Sequence, residues 1–150
     1  MITLKPGDTA PAFTAIDQHG TEMSLNLLKG KKIVLYFYPK DNTPGCTVEA
    51  CNLRDNYTDL MNNGYIIIGV SPDALASHVK FAEKFDLPFS LLPDTAKEII
   101  QSYGVWGPKK FMGKSYDGVL RTTFVIDESG LIEKVITKVD TKNHTEQILS

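Results

Sequence analysis

Residues 33 to 38 read Ile-Val-Leu-Tyr-Phe-Tyr without one charged or amide side chain, and few architectures can house such a segment. β-branched and aromatic residues favour an extended backbone. A strand without a polar side must be covered on both faces, as in a sheet with helices packed above and below it. Tyr65 to Val70 (YIIIGV) is a second such run and Thr123 to Ile126 (TFVI) a third. The turn Asp127-Glu128-Ser129-Gly130 then leads into Leu131 to Thr137 as a hairpin partner. Shorter strands are expected at Phe13 to Ile16 and at Phe89 to Leu92.

Helical spacing fills the intervals. Cys46 to Met61 carries Val48, Cys51, Leu53, Tyr57 and Leu60 at helical intervals. Ser71-Pro72 is expected to cap and open a helix running through Phe85. Thr95 to Tyr103 and the segment from Asn143 onward complete the set. The alternation indicates an α/β sandwich with a mixed sheet. With 150 residues, 42% hydrophobic and 23% charged, residues 1–150 are expected to form one globular domain.

The net charge of −2 gives no overall attraction to nucleic acid or an anionic membrane. Lys29, Lys31 and Lys32 flank a strand, and Lys109, Lys110 and Lys114 are expected in a loop; neither group reads as a phosphate-binding stripe. No apolar stretch approaches bilayer length, and Met1 to Pro6 lacks the apolar run of a secretory signal, so a cytoplasmic address is expected. In that reducing compartment two cysteines are more often catalytic, redox-sensing or metal-binding than a permanent staple.

The segment Pro39-Lys40-Asp41-Asn42-Thr43-Pro44-Gly45-Cys46 follows the strongest strand and precedes a helix, so it lies at a strand's carboxyl end, where open α/β sheets bind ligands. Thr43 is a good N-cap, Pro44 suits the first helical position, and Cys46 falls near the third. Free backbone N–H groups and the helix dipole favour a thiolate there. The same residues also fit a plain helix cap and a buried, inert thiol. Cys51 adds a constraint. Residues five apart on an α-helix have Cα atoms about 8.6 Å apart, whereas a disulfide needs roughly 7 Å or less. The two sulfurs can join only if the helix unwinds, which suits a switch better than a staple.

Other constellations are missing. There is no C-x-x-C, no phosphate-binding glycine loop and no G-x-S-x-G elbow, and His19, His78 and His144 fall on separate elements without forming a ligand pair. The histidines read as surface or internally satisfied residues. A Cys–His hydrolase stays open, as do a general thiol–disulfide oxidoreductase, a redox-sensing module and a domain with two inert thiols.

Pro39, Thr43 and Cys46 form P-x-x-x-T-x-x-C, and with Cys51 five residues on the chain resembles the peroxiredoxins of the bacterioferritin-comigratory (PrxQ) type. Lys5 to Phe13, Tyr103 to Gly107 and Arg121 to Asp127 also look like that subfamily. The resemblance implies a thioredoxin-like fold, a central mixed β-sheet flanked by helices. It further implies an antioxidant thiol peroxidase acting on hydrogen peroxide and organic hydroperoxides. Cys46 would be the peroxidatic residue and Cys51 the resolving one, joined as an intramolecular disulfide that thioredoxin or a similar dithiol reduces. Arg121 would be the active-site arginine, Thr43 and the helix amides would hold the peroxide, and Pro39 would shield the site. Glu49, three residues after Cys46, is placed to orient Arg121, although an exposed helix carboxylate fits the sequence nearly as well. A monomer is implied, and no metal, haem or flavin is needed.

Overall fold

A computed structural model describes residues 2–150. Along the chain the strands are β1 (Thr14–Ile16), β2 (Glu22–Ser24), β3 (Lys32–Phe37), β4 (Tyr65–Ser71), β5 (Ser90–Pro93), β6 (Trp106–Phe111), β7 (Lys114–Val119), β8 (Thr122–Ile126) and β9 (Ile132–Ile136). The helices are α1 (Pro44–Asp55), α2 (Tyr57–Asn62), α3 (Leu75–Phe85), α4 (Glu98–Ser102) and α5 (His144–Leu149). Five strands make the main sheet in the order β5-β4-β3-β8-β9, with β3, β4 and β5 parallel and β8 antiparallel to both of its neighbours. This is the mixed sheet expected, and β3 occupies its centre.

The side chains of β3 and of Tyr38 just beyond it alternate between two cores. Ile33, Leu35 and Phe37 join Phe124, Ile126, Ile100 and Tyr103 on one face. Val34, Tyr36 and Tyr38 join Leu53 of α1, Leu60 of α2, Phe81 of α3 and Ile148 of α5 on the other. Residues 33 to 38 are all 1% exposed or less, so the run without charged residues is explained by cover on both sides.

Local structure departs from the expected pattern, beginning with β2, an unforeseen strand paired with β1. The helix expected from Cys46 to Met61 is broken at Asn56, whose side-chain amide donates to the Asn52 carbonyl at 2.8 Å while its own backbone leaves helical angles. The helix expected to open at Ser71-Pro72 begins at Leu75, because Ser71 completes β4 and accepts the Asp94 amide. The segment from Thr95 is helical only from Glu98, where the Asp94 carboxylate accepts the amides of Ile99 and Ile100. Lys109, Lys110 and Lys114 lie on strands, not in a loop: β6 and β7 form a hairpin turning at Met112-Gly113, both with positive φ. Among the described residues no helix is long and apolar enough to cross a membrane.

Gly69 of β4 sits where a side chain does not fit. A Cβ there would lie 2.9 Å from both Leu91 Cδ2 and Tyr36 Cζ. Gly69→Ala is therefore expected to lower stability by roughly 1–3 kcal/mol through overpacking, read as a lower urea midpoint with an unchanged slope.

Candidate active site

At the end of β3 the chain turns through Tyr38 to Thr43 before entering α1, and a closed network holds that turn. The Tyr38 hydroxyl donates to Asp41 Oδ1 at 2.6 Å, while Asp41 Oδ2 accepts from Ser77 Oγ at 2.8 Å and lies 2.7 Å from His78 Nδ1. The Asp41 amide donates to Asp73 Oδ2 at 2.8 Å, which also accepts the Ser71 hydroxyl at 2.7 Å. Asp41, Asp73 and His78 are close enough to share a cation. Their facing atoms are already engaged with hydrogen-bond donors, so the cluster reads as a brace between the loop, β4 and α3.

Thr43 stands at the N-cap position with extended backbone, and its carbonyl accepts the Thr47 amide at 2.9 Å. Its hydroxyl does not cap, contrary to expectation. It turns back and donates to the Lys40 carbonyl at 2.9 Å, which closes the loop and leaves its oxygen lone pairs free to accept. Pro44 opens α1, so the amides of Gly45 and Cys46 come before the first intrahelical bond and have no acceptor inside the helix.

Cys46 is buried at 1% exposure, and its sulfur accepts a hydrogen bond from Arg121 Nη2 at 3.2 Å. Arg121 Nη1 donates to Glu49 Oε1 at 2.6 Å. One guanidinium thus holds the sulfur on one prong and a carboxylate on the other. Gly45 leaves room for this, since a Cβ there would come within 3.3 Å of Arg121 Nη2. Burial opposes the charge on Arg121, but Glu49 and Cys46 outweigh it and hold the guanidinium more firmly protonated than usual. Glu49 is fully buried, not an exposed helix carboxylate; burial pushes it from the usual 4.5 up to about 7, against the pull of Arg121.

Cys51 lies half-buried on the same unbroken helix, and both thiols are free. One position on, Asn52 fastens α1 to the start of α5, with Nδ2 donating to the Lys142 carbonyl and Oδ1 accepting the Thr145 amide, each at 2.8 Å. Pro39, Thr43 and Pro44 line a groove of about 460 Å³ completed by Lys109, Phe111 and Tyr116 of the β6–β7 hairpin. Phe111 and Tyr116 are exposed. Burial and the neighbouring Arg121 lower the pKa of Lys109.

The structure therefore brings Pro39, Thr43, Cys46, Glu49 and Arg121 to one place and keeps Cys51 apart. The sequence pattern does not point to Lys109, which lies on β6 and not in a loop, or to His144, whose Nε2 is 3.5 Å from Glu49 Oε2. No local signal ties either to Cys46, because each arrives from a distant element.

Known proteins resemble the chain over nearly its whole length. Residues 6–135 match the AhpC/TSA family. The chain is 46% identical over 149 residues to the putative peroxiredoxin bcp of Haemophilus influenzae, covering 99% of this chain and 96% of that one. Its structure is similar to that of the peroxidoxin BcpB of Mycobacterium tuberculosis, with a TM-score of 0.85, 35% identity and coverage of 98% and 95% of the two chains. It is also similar to the bacterioferritin comigratory protein of Xanthomonas campestris, studied in trapped intermediate and ligand complexes for its alkyl peroxide reduction activity. The TM-score there is 0.86, with 30% identity over 99% and 95% of the chains.

Because Glu49 is raised, the folded state keeps a proton that the unfolded chain releases from about pH 4.5 upward. The stability contributed by this group is complete below that value and is lost as pH rises through about 7. Glu49→Gln removes the titration. Its urea-unfolding free energy is expected to fall less between pH 5 and pH 8 than that of the wild type, by on the order of 1–3 kcal/mol.

Proposed function

Since this chain belongs to the AhpC/TSA family, in its bacterioferritin-comigratory peroxiredoxin branch, we propose that it reduces hydroperoxides at Cys46 and recycles through Cys51. The observation that carries this reading is the Arg121 guanidinium, bonded at once to the Cys46 sulfur and the buried Glu49 carboxylate. A cation held there stabilises a thiolate and presents donors to peroxide oxygens.

The Cys46 thiolate attacks the terminal peroxide oxygen in line, the O–O bond breaks, and the leaving oxygen departs as water or an alcohol after taking a proton. Arg121 and the free amides at the start of α1 stabilise the charge that develops on that oxygen. The Thr43 hydroxyl oxygen, with its proton committed to Lys40, accepts from the peroxide O–H and so orients it. Pro39 keeps bulk water off the sulfur, and Glu49 fixes the plane of the guanidinium. The groove walled by Phe111 and Tyr116 supports organic hydroperoxides as substrates beside hydrogen peroxide.

Cys46 becomes a sulfenic acid. The Cys51 thiol then attacks it, releasing water and forming a disulfide before further oxidation. Both residues lie on α1, so this step needs the helix to open between them. Thioredoxin or a similar dithiol takes the disulfide back to two thiols. The protein acts as a single-domain monomer in the cytoplasm, in antioxidant defence, without metal or organic cofactor.

Thioredoxin-coupled peroxide consumption tests the reading. Cys46→Ser is expected to be inactive, while Cys51→Ser still forms one sulfenic acid per chain but recycles slowly or not at all. Arg121→Met should lower the second-order rate constant with peroxide by roughly 10²-fold or more, the scale of losing one preorganised donor. Residual turnover in Cys46→Ser would refute the assignment. Amide exchange across residues 46 to 51 should be faster in the disulfide form than in the dithiol; equal protection in both would rule out the opening step.

A further inference from the structure

Gln147 decides which nitrogen of His144 carries hydrogen. Its Nε2 donates to the Lys138 carbonyl and its Oε1 accepts the Asp140 amide, both at 2.9 Å, so the atom 2.8 Å from His144 Nδ1 is the amide oxygen. Nδ1 must therefore be protonated. The other nitrogen, Nε2, lies 2.7 Å from the Thr123 hydroxyl and 3.5 Å from Glu49 Oε2. Glu49 and His144 are both fully buried, and Glu49 Oε2 has no hydrogen-bond partner. With Glu49 ionised and His144 neutral, Nε2 takes the Thr123 hydroxyl proton, and Glu49 Oε2 faces the ring with no proton between them. Buried acceptors are not left so without cost.

We propose that Glu49 and His144 hold one proton between them, and that His144 is through it a positioning residue for Arg121 at the Cys46 site. On Glu49 Oε2 the proton points at Nε2, with the Thr123 hydroxyl turning its own proton away; on Nε2 it makes an imidazolium facing both Thr123 Oγ1 and the carboxylate. Both placements satisfy the stranded oxygen. They also settle the charge of the cluster. One guanidinium touches both Cys46 and Glu49, so a thiolate and a carboxylate would otherwise share a single positive charge. With the proton in place, Cys46 thiolate, Arg121, Glu49 and His144 sum to zero, and the guanidinium remains available to sulfur and peroxide. Losing it as pH rises leaves the cluster one charge negative and weakens the thiolate.

The surroundings agree. Burial favours the uncharged form of each partner, raising Glu49 and lowering His144. The other ionisable groups acting on the cluster are Tyr36 from β3, Lys109 from β6 and Asp140 ahead of α5. The Tyr36 hydroxyl is itself buried without a partner, and its phenol is pushed well above its usual value, first by burial and then by Glu49 and Cys46. No hydrogen bond links any of these three side chains directly to Glu49 or His144 among the described residues.

The catalytic meaning rests on Cys46 being the peroxide-reacting thiol; the shared proton does not, and the two are tested separately. In the full-length reduced protein, the Glu49 carboxyl carbon and the His144 ring nitrogens are followed by NMR against pH, with Glu49→Gln and His144→Gln supplying assignments. Nδ1 is expected to stay protonated, and the Glu49 carbon and His144 Nε2 signals to move with one common midpoint, as a coupled pair does. Midpoints separated by more than about one pH unit, or a neutral ring protonated on Nε2, would overturn the proposal. For catalysis, the rate constant of Cys46 oxidation by hydrogen peroxide is measured against pH in wild type and His144→Gln. A profile displaced along the pH axis is expected, and a uniform drop at every pH would mean a merely structural role. Should His144→Gln fail to fold, the wild-type titration alone still decides the shared proton, and Cys46→Ser separately tests the thiol.

Discussion

β3 has no face turned to water, and the rest of the fold follows from covering it. Its odd and even side chains feed separate cores, so both sides of the sheet must carry packed elements. On the side of Val34, Tyr36 and Tyr38 the cover is α1, α2, α3 and α5, and α1 follows β3 after the turn through Thr43. Packing on that face seats Cys46, Ala50 and Leu53 of α1 in the same core as the even-numbered side chains of the strand.

Around that turn the structure spends polar groups freely for so small a protein. Asp41 is tied to Tyr38, Ser77 and His78, so the loop before α1 is braced to α3. Arg121 ties α1 to the strand that follows it, and Asn52 ties α1 to α5. The Arg121 bonds oppose unwinding of α1 between Cys46 and Cys51, whereas the proposed disulfide step requires it. Opening must therefore release the Arg121 contacts, while the Asp41 brace ahead of the segment and the Asn52 tie beyond it can stay closed. This separates a fixed loop carrying Pro39 and Thr43 from a helix able to rearrange.

How far these features were legible in the chain depends on the range of the interactions behind them. β3, β4 and the β8–β9 hairpin follow from runs and turns of neighbouring residues, and all appear where expected. The β6–β7 hairpin was missed because much of it is exposed, so its residues show no alternation between a wet and a dry face, and its turn uses Met112 where glycine or asparagine would be the usual signal. The break at Asn56 is one side-chain bond to Asn52 that helical spacing does not report. Thr43 was placed correctly at the head of α1, but its hydroxyl chose the Lys40 carbonyl over the helix amides, a choice between two acceptable local bonds.

The amino-acid sequence by itself determined a doubly covered strand, a thiol in the first turn of the helix beyond it, and a second thiol out of reach on that helix. These are properties of near neighbours, governed by backbone preference and helix geometry. Only the tertiary structure decided that Arg121 donates to that thiol, that Glu49 lies buried under the guanidinium, and that His144 closes over the carboxylate. Those three residues come from α1, the segment before β8 and the start of α5, and packing the helices onto β3 is what brings them together. The state of a buried carboxylate depends on what that packing places beside it, and no local pattern in the chain records its neighbours.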